Sequence, residues 1–181
     1  LSGPVVGVAY DGTGLGTDGG AWGGEILIAD RTSFERVATL RPIALAGGDR
    51  AIHEPWRIAL ALLDDAFDGQ PPLDRLPLFS HIAPGRVSQV RAVLRHGVHC
   101  TLAHGAGRYF DAVGALVLDR PTATYEAQLA MALERAAAPD ETGCYDFVVR
   151  GDERPRQIDL RPMTRGLVAD VGAAARAALR A

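Results

Sequence analysis

Between Ala9 and Glu25 the chain reads AYDGTGLGTDGGAWGGE, seven glycines in seventeen residues. Glycine loses more conformational freedom on folding than any other residue, so this density persists only where the backbone needs φ > 0 or a close approach. The flanks are β-type: Pro4–Tyr10 (PVVGVAY) before the run and Glu25–Asp30 (EILIAD) after it, rich in Val, Ile and Tyr. A third run, Phe34–Arg41 (FERVATLR), alternates as a strand does. The glycine stretch is therefore expected to join two antiparallel neighbours, with Asp11 at the end of the first strand and its carboxylate in a cleft. Few folds begin this way.

Gly14-Leu15-Gly16-Thr17-Asp18-Gly19 matches the GxGxxG pattern after a strand. A dinucleotide site needs the last glycine to open a helix whose N-terminus receives the pyrophosphate. Here the chain runs on into Gly-Gly-Glu-Ile-Leu-Ile, a strand pattern, which excludes that reading. A plain hairpin explains two or three glycines, not seven. A strand–loop–strand phosphate cradle explains more, with exposed N–H groups for phosphate oxygens and an acid, Asp11, placed to hold a cation. Such hairpins, carrying Asp-Gly-Thr-like sequences, belong to the actin and sugar-kinase class of folds.

The rest of the chain adds helices. EPWRIALALLDDAF, from Glu54, has Pro55 in its first turn and Trp56, Ala59, Leu60, Leu63 and Phe67 at helical spacing. A proline-rich loop over Gln70–Pro77 precedes expected helices near Val87–Arg95, Ala106–Leu118 and Thr124–Ala137. Strands over Cys144–Arg150 and Gln157–Leu160 and a helix over about Thr164–Leu179 complete a mixed α/β (α+β) order. The reading is one domain segment over 1–181: a β-rich hairpin part over 1–50, a mainly helical part over 51–140, and a β pair with a terminal helix over 141–181.

At 181 residues with 48% apolar and 23% charged residues the composition is globular, and a net charge of −3 gives no electrostatic case for nucleic acid. All 19 basic residues are arginine, which points to a GC-rich genome more than to a function. Two cysteines, Cys100 and Cys144, without a CxxC, speak against a disulfide framework and a cysteine zinc site. No run approaches a membrane span and no signal peptide is visible, so a cytoplasmic location is expected. The chain opens at Leu1 within a strand-like pattern, and a segment of a longer protein is expected.

Four stretches carry a family resemblance: DGTGLGTDGGAWGGE, LRPIALAGGDRAIHEPWR over Leu40–Arg57, GRYFDAVGA over Gly107–Ala115, and TYEAQLAMALE over Thr124–Glu134. In this order, over nearly the whole chain, they closely resemble the C-terminal carbamoyl-transfer domain of the HypF carbamoyltransferase family of nickel–iron hydrogenase maturation. The resemblance implies an actin/sugar-kinase-like (ASKHA) lobe related to the tRNA threonylcarbamoyl-transfer proteins. It implies a donor, carbamoyl-adenylate, made from carbamoyl phosphate and ATP in a separate YrdC-like domain. The implied acceptor is the C-terminal cysteine of a HypE-like partner, whose carbamoyl group becomes the cyanide ligand of the hydrogenase iron. A thiol attacking an activated carbonyl needs a cradle for the adenylate phosphate and donors or a Lewis acid for the developing oxyanion.

The resemblance assigns Gly12, Thr13, Gly14, Gly47, Gly48, Asp49, Arg108 and Asp111 to the nucleotide and its phosphate, and Asp11 to a divalent metal, zinc or iron. The family's upstream histidine pair and downstream acid have no counterpart in these 181 residues. One metal ligand of several is therefore implied, and the chain alone is expected to fold without catalysing the transfer. There are departures too: Ala103-His104-Gly105 stands for a usual Thr-Ser-Ser, Ala127 for a usual glycine, and Ala132 for an acid that reaches the ribose, unless Glu134 takes that role. A small-molecule O-carbamoyltransferase and a non-catalytic binding module on the same scaffold are the alternative functions.

Single residues divide between site and scaffold. His96, His99, Cys100 and His104 match a metal cluster by count but no common zinc spacing, so solvated histidines and a buried thiol are expected. Arg108 and Asp111 either share a helix face at the site or form a local i,i+3 ion pair. Asp49, Glu54 and Arg57 read as capping residues or, through the matching string, as site lining. Trp56 is core; Trp22 packs the loop or faces a ligand.

Overall fold

The computed structural model describes residues 3–178. Its first two strands, β1 (Val5–Leu15) and β2 (Ala21–Ala29), pair antiparallel from Val5 opposite Ala29 to Tyr10 opposite Gly24. The register then slips, and Gly14 faces Trp22 and Leu15 faces Ala21. The expected hairpin is present, but its first strand does not stop at Tyr10. A bulge lets β1 continue through DGTGL, and only Gly16–Gly20 turns, closed by Gly16 N–H to Gly20 C=O at 2.8 Å and Gly19 N–H to Gly16 C=O at 3.0 Å.

Glu25 of β2 faces Ala9 on one side and Thr39 of β3 (Phe34–Leu40) on the other. Ala21 likewise lies between Leu15 and Ala103 of β5 (Cys100–Ala103). β1 therefore takes one edge of β2 while β3 and β5 share the other. With β4 (Ile43–Ala46), β6 (Val148–Arg150) and β7 (Arg156–Asp159) the sheet has seven strands, ordered β4-β5-β2-β3-β7-β6 with β1 beside β2. The β2–β5 and β3–β7 pairs are parallel and the others antiparallel, which makes the sheet mixed.

Among the described residues six helices cover it: α1 (Arg50–His53), α2 (Trp56–Ala66), α3 (Pro84–His96), α4 (Ala106–Val117), α5 (Gln128–Ala136) and α6 (Arg161–Ala178). Two 3-10 turns, Leu73–Arg75 and Pro77–His81, fill the proline-rich connection. α2 is the centre of the core, with Trp56, Ile58, Ala59, Leu60 and Leu63 at most 1% exposed. A helix apolar on so much of its circumference must be covered on several sides, and α2 is, by β4, α4 and α6. Burial of each such large side chain stabilises the fold by about 1.5–3 kcal/mol. No described helix is long and apolar enough to cross a membrane.

Several expectations need correction. β4 and β5 were not expected: each has four residues, too few for a period-2 pattern, and β5 lies inside the histidine-bearing HGVHCTLAH. The strand expected over Cys144–Arg150 keeps only Val148–Arg150. The helix expected over Thr124–Ala137 begins at Gln128, because Ala127 adopts the left-handed conformation (φ 60°, ψ 10°) and the Gln128 side chain accepts the Thr124 N–H at 2.8 Å. The helix expected from Glu54 is α2, which starts at Trp56 with Pro55 at its N-cap, and the short α1 before it was not expected. The last helix starts three residues early, at Arg161, whose N–H donates to Asp159 Oδ1 at 3.0 Å. Its expected end, Leu179, lies outside the described residues.

Candidate functional site

The β1 bulge places Asp11, Gly12 and Thr13 opposite the single residue Gly23. Against it comes the N-terminus of α4. A Cβ on Gly107 would stand 2.8 Å from Gly12 Cα; one on Gly23 would stand 2.8 Å from the Asp11 carbonyl oxygen and 3.0 Å from Gly105 Cα. A Cβ on Gly105 would overlap the Gly12 carbonyl, and one on Gly24 the His104 carbonyl. Main chain therefore meets main chain from three elements, and this contact is what Gly12, Gly23 and Gly24 of the dense glycine run serve. Asp11 sits inside the strand, not at its end. Its carboxylate is exposed, and Oδ1 accepts the Gly12 N–H at 2.6 Å.

Glu25 fixes the other side of this contact. It is 1% exposed, and its Oε2 accepts the N–H of Gly23 at 2.7 Å and of Gly24 at 2.8 Å, while Thr39 Oγ1 donates to Oε1 at 3.3 Å. The sequence pattern offered only a lone acid at the head of an apolar strand, and Glu25 was not singled out.

α4 brings up the charged groups. Arg108 and Asp111 are both almost fully buried, with Nη2 3.0 Å from Asp111 Oδ2, so the i,i+3 pair exists. Arg108 Nε and Nη1 and Asp111 Oδ2 nevertheless lack hydrogen-bond partners. The same guanidinium lies over Gly12, with Nη2 2.9 Å and the Glu126 carboxylate 3.4 Å from where a Gly12 Cβ would be. Burial pushes the Asp111 carboxyl up to about 6; Arg108 pulls it down and Glu126 pushes it further up. Of the two sequence readings, the local ion pair is present, and its cation lies beside the hairpin.

The Gly47-Gly48-Asp49 loop is not brought to this cluster. It follows β4 and is anchored by Gly47 N–H to His99 C=O at 2.9 Å, at the opposite end of β5 from Ala103. Gly47 and Gly48 take positive φ (90° and 58°), and Asp49 is exposed at the N-cap of α1 without a side-chain cap bond. Glu54 beside this loop gathers Arg57 at 2.5 Å, Arg86 at 2.8 Å and Arg50 at 3.1 Å, a structural knot that sequence had read as capping or lining.

The histidines do not converge. His96 and His99 are exposed, His104 is held to the Leu40 carbonyl at 2.7 Å, and no group of three or more metal-type ligands occurs among the described residues. Cys100 is half-buried, with its thiol pushed up by desolvation. Trp22 packs the loop: its indole N–H donates to Asp18 at 2.8 Å, and Arg36 lies 4.1 Å over its ring.

Against known proteins, residues 7–181 match the family model described as "Carbamoyltransferase, Kae1-like Domain, second subdomain". The chain belongs to the HypF carbamoyltransferase family. It is 42% identical over 134 residues to Carbamoyltransferase HypF2 of Cupriavidus necator, covering 74% of this chain and 16% of that protein. To Carbamoyltransferase HypF of Rhodobacter capsulatus it is 46% identical over 138 residues, covering 75% of this chain and 18% of that protein. A crystal structure of full-length HypF in the phosphate- and nucleotide-bound form aligns with a TM-score of 0.79 at 31% identity, over 96% of this chain and 23% of that one. The chain thus spans less than a fifth of these two HypF sequences, and its mixed α/β fold is that of the Kae1-like domain.

Proposed function

We propose that this chain forms part of a carbamoyl-transfer site, in which a carbamoyl group passes from carbamoyl-adenylate to the C-terminal cysteine of a HypE-like partner. The observation that carries the reading is the seat itself: the Asp11–Thr13 bulge lies on the N-terminus of α4, beside a buried guanidinium with two unpartnered nitrogens. Helix N-termini, glycine-rich backbone N–H groups and an arginine fork are the donors that an adenylate phosphate takes. Gly12, Thr13 and Gly14 would offer backbone, and Arg108 charge, with Asp111 holding Arg108 in orientation. Gly47, Gly48 and Asp49 would contribute from the far end of β5, toward a different part of the same nucleotide.

A divalent metal fits the described residues only in part. Asp11 offers one exposed carboxylate, and no group of three or more candidate ligands is present among the described residues. That observation favours a second reading, a binding module that keeps the fold and the partner surface. The experiment separating the two is a chimera in which this chain replaces the matching segment of the Rhodobacter capsulatus HypF. The expected result is ATP- and carbamoyl phosphate-dependent carbamoylation of the HypE C-terminal cysteine, read by intact-protein mass spectrometry. Asp11→Ala in the chimera should abolish the transfer and change stability by less than about 1 kcal/mol, as for an exposed carboxylate. A chimera that folds, binds HypE and transfers nothing would leave the binding module as the reading.

A further inference from the structure

Glu25 is a buried carboxylate that the chemistry above does not use, and among the described residues no arginine or histidine pairs with it. A buried carboxylate without a counter-ion is expensive to keep, and its hydrogen bonds are what offset that cost here. What the carboxylate does is visible in its bonds. Successive N–H groups of a regular strand point to opposite edges, yet those of Gly23 and Gly24 converge on one oxygen, Glu25 Oε2. They can do so because Gly23 has φ 142°, outside the range of an ordinary strand residue. The turned Gly23 is the residue opposite the three-residue bulge and the one against which the Asp11 carbonyl and Gly105 are pressed.

We infer that Glu25 is a positioning residue: its carboxylate holds the Gly23–Gly24 main chain in the shape that keeps the Asp11–Thr13 bulge open toward the incoming phosphate. The inference rests on the phosphate-cradle reading for its functional meaning, though not for its geometry. What matters is the acceptor's place, not its charge. A glutamine can present its carbonyl oxygen to both glycine N–H groups and its amide to Thr39, whereas an aspartate keeps the charge but withdraws the oxygen by about 1.5 Å, one bond length.

The test compares Glu25→Gln and Glu25→Asp with the wild-type 181-residue chain by residue-resolved amide hydrogen exchange, with the α2 amides as an internal measure of global stability. Glu25→Gln should leave exchange at Gly12, Thr13, Gly14, Gly23 and Gly24 within about threefold of wild type; Glu25→Asp should accelerate it roughly tenfold relative to α2, the change expected when one net hydrogen bond is lost. Equal acceleration of hairpin and α2 amides in Glu25→Asp would reduce Glu25 to a core residue and overturn the inference. Loss of hairpin protection in a folded Glu25→Gln would overturn it too, because charge would then be the operative property. A second readout is the amide chemical-shift change produced by millimolar ATP at Gly12–Gly14, expected in wild type and Glu25→Gln and lost in Glu25→Asp. If wild type itself shows no such shift, the phosphate reading falls while the exchange result still decides the role of Glu25.

Discussion

Gly105→Ala tests the main-chain contact on which the candidate site rests. Gly105 has φ −63° and ψ 127°, a conformation that alanine adopts freely, so the substitution adds no backbone strain. The whole effect comes from one methyl group overlapping the Gly12 carbonyl and lying 3.1 Å from the Asp11 carbonyl oxygen. Neither obstacle is a side chain that can swing away. Overpacking by a methylene costs about 1–3 kcal/mol, and a rigid main-chain obstacle puts this case near about 3 kcal/mol. With a urea m-value of about 2 kcal/mol/M the midpoint should fall by roughly 1.5 M, and the melting temperature by roughly 6–12 °C. Gly85→Ala is the paired control: nothing lies within 4 Å of its Cβ position, and it sits in the first turn of α3. There alanine should stabilise by several tenths of a kcal/mol, up to about 1. Urea titrations followed by circular dichroism give both numbers. If Gly105→Ala unfolds within about 0.5 kcal/mol of wild type, the hairpin and α4 do not meet main chain to main chain, and the seat for the phosphate goes with them.

The other predictions concern strain and protons. Ala127→Gly should raise the melting temperature by about 1–2 °C, because a left-handed alanine costs about 1–2 kcal/mol and glycine gives back part of that gain through the unfolded chain; a lower melting temperature would contradict the left-handed backbone. Asp111, pushed up to about 6, binds its proton more tightly folded than unfolded, so its contribution to stability is complete below about pH 4 and is lost as pH rises through about 6. As pH rises from 4 to 7 the wild type should therefore lose melting temperature relative to Asp111→Asn, whose side chain does not titrate; parallel curves would refute the raised value. Asp159 has the opposite sign. It is fully buried between Arg150 and Arg161, which hold its carboxyl well below the usual range, so its contribution is present above about pH 4 and disappears as pH falls. Asp159→Asn should cost about 1–3 kcal/mol in urea at pH 7, since it removes charge-assisted hydrogen bonds from a buried carboxylate while Arg150 and Arg161 keep access to solvent.

The hairpin was legible because seven glycines between two β-branched runs admit few other structures, and α2, α3 and α4 because their apolar spacing is helical over three turns. The family motifs marked Asp11, Gly12, Arg108 and Asp111, which the fold brings together. Local pattern could not reveal what depends on contacts between distant segments. The close approach of Gly105 and Gly107 to Gly12 joins residues more than ninety positions apart, and neither sequence carries a mark of the other. Glu25 looked like a strand boundary, although its carboxylate is turned back on the two glycines before it. The far placement of Gly47–Asp49 follows from β4 and β5, four-residue strands whose pairing no periodicity announces.

The stacking of Arg36 on Trp22 gives the hairpin an optical handle of its own. Trp56 is sealed in the core at 1% exposure, whereas Trp22 is half-buried, with a cation over one face, Phe34 at its edge and its N–H tied to a carboxylate. These two indoles are the only ones in the chain, and their surroundings differ enough for their emission to differ. In a Trp56→Phe chain the remaining indole fluorescence would belong to the glycine hairpin alone, so that its opening and closing could be followed in solution separately from the unfolding of the core.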